Sequence, residues 1–196
     1  KFSDSFLINK KIFSHLYYTK NLSKYSSHIN EIFVEKISDI KSFLCQTTDE
    51  TFLFSSGGIL ARECFNNKNK IIHIHPGFLP LIKGADGLLW SLKLKNIAGV
   101  SAFYMNDKLD AGDIISRENI KLPKLSKNIL DLDTKNIYRI IYSYIDPMVR
   151  VYCFQKLILQ SEENINNLKS IKQNHSGTTY TFMTDEQKNK VFKKLC

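Results

Sequence analysis

The sequence predicts an α/β fold: a mostly parallel sheet with helices on both faces. Three observations carry this. First, the apolar stretch Thr51-Phe52-Leu53-Phe54 runs into Ser55-Ser56-Gly57-Gly58, residues 59–65 read as a helix, and residues 70–75 form a second apolar stretch. Strand, glycine turn, helix, strand is the order of a βαβ unit, which places its two strands in parallel. Second, residues 99–105 and 114–120 read as strands with an Asp/Gly turn between them, which adds an antiparallel element. Third, 196 residues with 43% hydrophobic and 24% charged content suit one compact domain with a real core.

Element by element, residues 6–8 and 13–18 fit either strand or helix, and residues 23–30 are polar loop. Residues 31–34 read as a short strand, and residues 39–46 as a helix capped by Ser38. After the βαβ unit, residues 86–94 are helical, with Trp90 and the leucines covering much of the surface and Asp86 as N-cap. Leu122-Pro123 closes this unit. Residues 135–144 and 147–160 then read as two helices broken at Asp146-Pro147. Ile137, Ile140, Ile141 and Tyr144 share one face, and Val151, Phe154, Leu157 and Ile158 another. Residues 161–177 are polar loop and residues 179–183 a short strand. Thr184-Asp185-Glu186-Gln187 is a capping box opening a last helix. The expected division is an α/β domain over residues 1–122 and a helical C-terminal extension over residues 123–196 packed on it. No opening strand with its glycine turn precedes residue 50, so that unit is expected upstream of Lys1 or in degenerate form.

The formal net charge is +9, which favours an anionic partner. The lysines are scattered rather than gathered, and no stacking aromatic strand accompanies them, so a nucleic-acid partner is not expected. No apolar run approaches the roughly eighteen residues of a membrane span, so no membrane partner is expected either. Cys45, Cys64, Cys153 and Cys196 match no zinc spacing and read as free thiols of a cytoplasmic protein.

Candidate chemistry gathers around Ile72-His73-Ile74-His75-Pro76-Gly77. His73 and His75 lie two apart on a strand and share a face. His75 stands last before the Pro/Gly turn, where a sheet ends and ligands bind. Asp107, Asp110 and Asp113 surround Gly112 in a second turn, and a carboxylate there can hold or polarise His75 as a general base requires. A metal would need a third ligand besides the two histidines, and beyond Asp110 no Glu or third His has the matching spacing. The turn after residue 54 can present backbone N–H groups, and Gly84 can let backbone approach a ligand.

These residues resemble the folate-dependent formyltransferases. The family pattern is Asn-x-His-Pro-(Gly/Ser)-x-Leu-Pro, a Gly a few residues on, a Gly-(Val/Thr)-(Ser/Thr) strand, and Asp-x-x-(Leu/Ile)-Asp-x-Gly-x-(Ile/Val)-Ile. Here these are His73 to Pro80, Gly84, Gly99-Val100-Ser101, and Asp107-Lys108-Leu109-Asp110-Ala111-Gly112-Asp113-Ile114-Ile115. The resemblance covers about residues 50–122. It implies a Rossmann-like domain, with N10-formyltetrahydrofolate as formyl donor and a primary amine as acceptor. His75 matches the catalytic His and Asp110 the catalytic Asp. Ser56, Gly57, Gly58, Ile59 and Leu60, with Met105, Asn106 and Asp107, match the pterin-contacting segments. Pro76, Gly77, Lys83, Gly84 and Ser101 fall on the side of the acceptor and the reacting centre. His73 stands where the family has Asn, whose amide is expected to donate to the developing oxyanion. A His can donate there too, from a different reach and with a pH-dependent charge.

The short tail and the Gly77-Phe78-Leu79-Pro80 loop resemble the sugar-nucleotide N-formyltransferases. The implied acceptor is therefore a small-molecule amine on a nucleotide-linked sugar, and a second copy of the chain is a candidate protein partner. Two alternatives stand beside this: formylation of another amine, such as glycinamide ribonucleotide or methionyl-tRNA, and a formyltransferase-like binding protein with impaired turnover.

Overall fold

The computed structural model describes residues 36–55, 58–65, 68–161, 165–174 and 177–196. The expectations for segments 6–8, 13–18, 23–30 and 31–34 fall outside the described residues. The first helix, α1 (Ile37–Cys45), begins before Ser38, so Ser38 lies inside its first turn rather than capping it. The amide of Lys36 instead donates to Asp39 Oδ2 at 3.1 Å.

Strands β1 (Thr51–Phe54) and β2 (Lys70–His75) pair in parallel from Thr51 against Lys70 to Phe54 against His73, as the βαβ order predicts. The crossover is shorter than expected. In place of a helix over 59–65 there is one 3₁₀ turn, Arg62–Phe65. Gly58 sits at φ +98°, outside the right-handed helical region, and the helical run that follows is confined to Arg62–Phe65, a length usual for a 3₁₀ turn. Leu60, Cys64, Phe54, Ile71 and Leu44 of α1 close this corner as one apolar cluster.

The chain leaves β2 through a turn into the short strand β3 (Ile82–Gly84) and helix α2 (Gly87–Lys95), then returns as β4 (Ala98–Tyr104) and β5 (Ile114–Ile120). The main sheet runs β1-β2-β4-β5. Among the described residues β1 and β2 are parallel, while β2–β4 and β4–β5 are antiparallel. The β2-to-β4 connection thus starts and ends at the same edge of the sheet, and that edge carries the site. A Cβ on Gly99 would meet Ser91 of α2, whereas Cys153 of a later helix lies against the backbone of Ala102. Residues 99 and 102 point to opposite faces, so helices cover both.

Beyond β5, α3 (Thr134–Ile140), a π-turn (Ile141–Ile145) and α4 (Asp146–Gln160) form one continuous helical path. This corrects the expected break at Asp146-Pro147. Pro147 falls in the first turn of α4, and the widened turn before it accommodates the missing N–H. The buried face of α4 is Val149, Cys153 and Leu157; Val151 and Ile158 are exposed, so the face expected from residues 151–158 is rotated. β6 (Thr178–Tyr180) pairs in parallel with β3, a pairing with no signature in the sequence because both partners have only three residues. Trp90 of α2 stacks on Tyr180, with ring centroids 4.4 Å apart. The last helix, α5 (Asp185–Leu195), carries the predicted capping box, Thr184 with Gln187. Among the described residues no helix is long and apolar enough to cross a membrane.

Candidate active site

Strand alternation decides what His75 meets. It ends β2 with its backbone paired to Ser101 of β4, and its side chain is buried at 3% exposure. Nε2 lies 3.0 Å from the carbonyl oxygen of Ile82, which accepts only, so Nε2 carries the hydrogen. Nδ1 is then an acceptor, and it faces Asp110 Oδ2 at 3.6 Å. Burial lowers the imidazole pKa to about 4; the Asp110 charge opposes this without overcoming it. The ring is neutral near pH 7, beside a carboxylate that favours its charged form. Glycines wall it in: a Cβ on Gly77 would come within 2.5 Å of Nε2, and one on Gly87 within 3.0 Å.

Asp110 is positioned by a strained backbone. It has φ +48°, which is uncommon for a residue with a Cβ. Its Oδ2 accepts the amide of Gly84 at 2.7 Å, and Gly84 is itself at φ +85° with no room for a Cβ against the Tyr180 carbonyl. Gln173 Nε2 bridges the carbonyls of Asp110 (3.1 Å) and Gly112 (2.7 Å). Sequence reasoning missed Gln173, which sits in a polar stretch that carries no pattern.

His73 shares the face of His75, as expected, but its surroundings differ. It is half-buried between the rings of Phe54 and Phe103. Its Nδ1 lies 2.7 Å from the Phe54 carbonyl and therefore carries the hydrogen, while Nε2 has no hydrogen-bond partner among the described residues. Burial lowers its pKa as well, against the Phe54 hydrogen bond. Arg150 on α4 donates to the carbonyl of Ile74, between the two histidines, at 2.5 Å. It also binds Asp146 Oδ2 at 2.7 Å. Asp146 is 5% exposed and its Oδ1 has no partner among the described residues; burial raises its pKa.

The remaining expected residues divide by what they already hold. The Ser101 hydroxyl donates to the Gly77 carbonyl (2.8 Å) and accepts from the Leu79 amide (2.9 Å), so it fastens the turn that contains Pro76. Lys83 is buried at 8% exposure, between the residue that receives the His75 hydrogen and the residue that donates to Asp110, with no acidic partner among the described residues. The Met105 amide is spent on the Ile71 carbonyl (2.7 Å), and Asn106 Oδ1 accepts from Lys108 (3.0 Å). Asp107 Oδ2 meets Arg62 Nε at 3.3 Å, which brings the segment after β1 alongside the turn after β4. Ile59 is exposed there and Leu60 is core; Ser56 and Gly57 lie outside the described residues. Asp86, expected as an N-cap, makes no cap bond and instead accepts from Tyr138, Tyr142 and the Met183 amide. Among the described residues no group of three or more His, Cys, Asp or Glu is arranged to hold a metal.

A neutral imidazole, an adjoining carboxylate and a second imidazole with a free lone pair can hold and move protons at the edge where strands end. Residues 52–135 match the family model described as formyl transferase. The chain is 30% identical over 162 residues to a methionyl-tRNA formyltransferase of Prochlorococcus marinus, spanning 79% of this chain and 45% of that protein. It is 28% identical over 151 residues to one of Bacillus velezensis, spanning 75% and 41%. The chain thus spans less than half the length of these relatives. A 4-N formyltransferase from Francisella tularensis shares the fold at a TM-score of 0.52 and 18% identity, over 95% of this chain and 72% of that one. The methionyl-tRNA formyltransferase from Clostridium thermocellum does so at 0.50 and 18%, over 85% and 66%. The histidine turn and the Asp110 turn both fall inside the segment that matches the formyl transferase family model.

Proposed function

We propose that this chain transfers a formyl group from N10-formyltetrahydrofolate to a primary amine on a nucleotide-linked sugar. The observation that carries the reading is the buried His75–Asp110 pair at 3.6 Å, at the sheet edge and within the formyl transferase segment. The donor-side residues suit a flat ring with polar edges: Ile59 and Leu109 expose apolar surface, and the Arg62–Asp107 contact joins their two segments. We assign residues 50–122 as the catalytic part and residues 123–196 as its extension, which supplies Gln173, Arg150 and the donors to Asp86.

The donor supplies a formyl carbon activated as an amide. The protein handles the protons. His75 is fixed by the Ile82 carbonyl in the tautomer whose Nδ1 lone pair faces Asp110. A proton held at Nδ1 turns that contact into a charge-assisted bond, and from there it can pass to the departing nitrogen. Lys83, buried without an acidic partner among the described residues, and the +9 net charge suit an anionic acceptor.

Methionyl-tRNA is the second reading, favoured by the names of the curated relatives. The test is incubation of the protein with N10-formyltetrahydrofolate and, separately, UDP- and dTDP-linked amino sugars, methionyl-tRNA and glycinamide ribonucleotide, with formylated product read by mass spectrometry. Product from an amino sugar alone is the expected result. Product from methionyl-tRNA alone would replace the acceptor, and binding of the folate without product from any amine would replace the enzyme by a binding protein.

A further inference from the structure

The two histidines of β2 are held in opposite tautomers. His75 gives its Nε2 hydrogen to Ile82, and His73 gives its Nδ1 hydrogen to Phe54. A neutral His73 therefore offers an acceptor at Nε2, not a donor. An Asn at this position has an amide N–H₂ to offer an oxyanion; His73 in its observed contact has no hydrogen left to offer. The substitution exchanges one kind of chemistry for another.

We propose that His73 is a catalytic residue that accepts the proton of the attacking amine at Nε2. This rests on the formyltransferase reading above. The amine nitrogen forms its bond to the formyl carbon and gives up one proton to Nε2. Water relays that proton from His73 to Nδ1 of His75, where Asp110 faces it, and the bond from the formyl carbon to N10 breaks with its electron pair going to N10, which takes the relayed proton. One amine N–H is lost and one N10–H is gained, so the reaction is balanced without a further reactant.

The surroundings suit a base that cycles. Burial between Phe54 and Phe103 keeps the ring neutral and ready to accept, while the Phe54 carbonyl and the charges of Asp110 and Asp146 favour the imidazolium once formed. Arg150 opposes it, but its charge is partly cancelled by Asp146 at 2.7 Å. His75, on the same face, is neutral and does not repel it. Among the described residues Asp146 Oδ1 is a buried acceptor without a hydrogen-bond partner, and the Asp146 carboxylate lies close enough to His73 for their charges to interact.

The test uses the full chain, N10-formyltetrahydrofolate, and a UDP-linked amino sugar or methionyl-tRNA as acceptor. His73→Asn and His73→Ala are each expected to lower kcat by about 10²-fold, the lower end for a positioned base. Added imidazole restores His73→Ala, and acetamide does not. At saturating acceptor, the wild-type rate falls on the acid side as His73 protonates, and this limb is absent in His73→Asn. Long-range ¹H–¹⁵N spectra of the wild type, which do not depend on turnover, should show His73 neutral with Nε2 unprotonated. A His73→Asn variant as fast as wild type, rescue by acetamide, or an Nε2–H tautomer would overturn the assignment and leave the formyltransferase reading intact. Transfer by the wild type to neither acceptor would overturn both.

Discussion

Asp86 and Asp110 are a matched pair with opposite uses. Both are buried, at 5% and 8% exposure. Both adopt left-handed backbone, at φ +53° and +48°. Asp86 has spent its carboxylate: Oδ1 accepts from Tyr138 (2.7 Å) and Tyr142 (2.9 Å), and Oδ2 from the Met183 amide (2.8 Å). Those donors arrive from α3, the π-turn and the segment before α5, so Asp86 ties the C-terminal part to the entrance of α2. Asp110 takes one amide, from Gly84, on the oxygen that faces His75, and keeps acceptor capacity in hand. A carboxylate has about four lone-pair sites. The difference teaches that unspent capacity beside an imidazole, rather than burial or strain, separates a chemical carboxylate from a clamp.

The comparison can be broken by exchanging the two outcomes. Asp110→Asn should lower formyl transfer by about 10²-fold or more, with the urea midpoint nearly unchanged because the amide retains an oxygen for Gly84. Equal activity in this variant would break the account of Asp110. Asp86→Ala should do the reverse. It strands two tyrosine hydroxyls and a buried amide, at about 1–3 kcal/mol for each group truly cut off from water, so equilibrium urea unfolding should show a loss of about 3 kcal/mol. An unshifted midpoint would show that Asp86 clamps nothing. Tyr142→Phe removes one donor and leaves two, and should cost about 1 kcal/mol by the same measurement. The burial and the Asp86 charge that raise the Tyr142 pKa keep that hydroxyl a donor throughout the accessible range.

The pH dependence of stability sharpens the comparison from the histidine side. His73 and His75 have pKa values below the ordinary 6.5, chiefly through burial, with His75 near 4. The unfolded chain therefore binds more protons than the folded one as pH falls through this window, so stability is full above about pH 6.5 and declines toward about pH 4. Thermal midpoints measured from pH 7 to 4 should fall, and less steeply in His75→Gln. An identical slope in wild type and variant would place the titrating group elsewhere.

The legible parts were those with a period or a punctuating residue. Alternation and the Gly/Pro turns located β1, β2, β4 and β5, and the capping box located α5. The family motif singled out His75 and Asp110, which the fold brings to 3.6 Å. What stayed hidden depends on contacts distant in sequence. Gln173, Arg150, Tyr138 and Tyr142 sit in segments whose patterns report helix or loop and nothing of their targets. β3 and β6 are each too short to show alternation, and each exists because the other is beside it. Asp86 preceded a helix and resembled a cap; the left-handed backbone and the two tyrosines that use its carboxylate instead are tertiary facts. The identity of the His73 tautomer likewise depends on one carbonyl, that of Phe54, at the end of the neighbouring strand.

On the proposed function, the His75–Asp110 pair carries formyl transfer. Single-turnover transfer from N10-formyltetrahydrofolate to the acceptor identified in the panel, comparing wild type with His75→Ala at matched folded fraction, tests it most directly. The account predicts a rate at least about 10²-fold lower in the variant, with folate binding retained. An unchanged rate would contradict it.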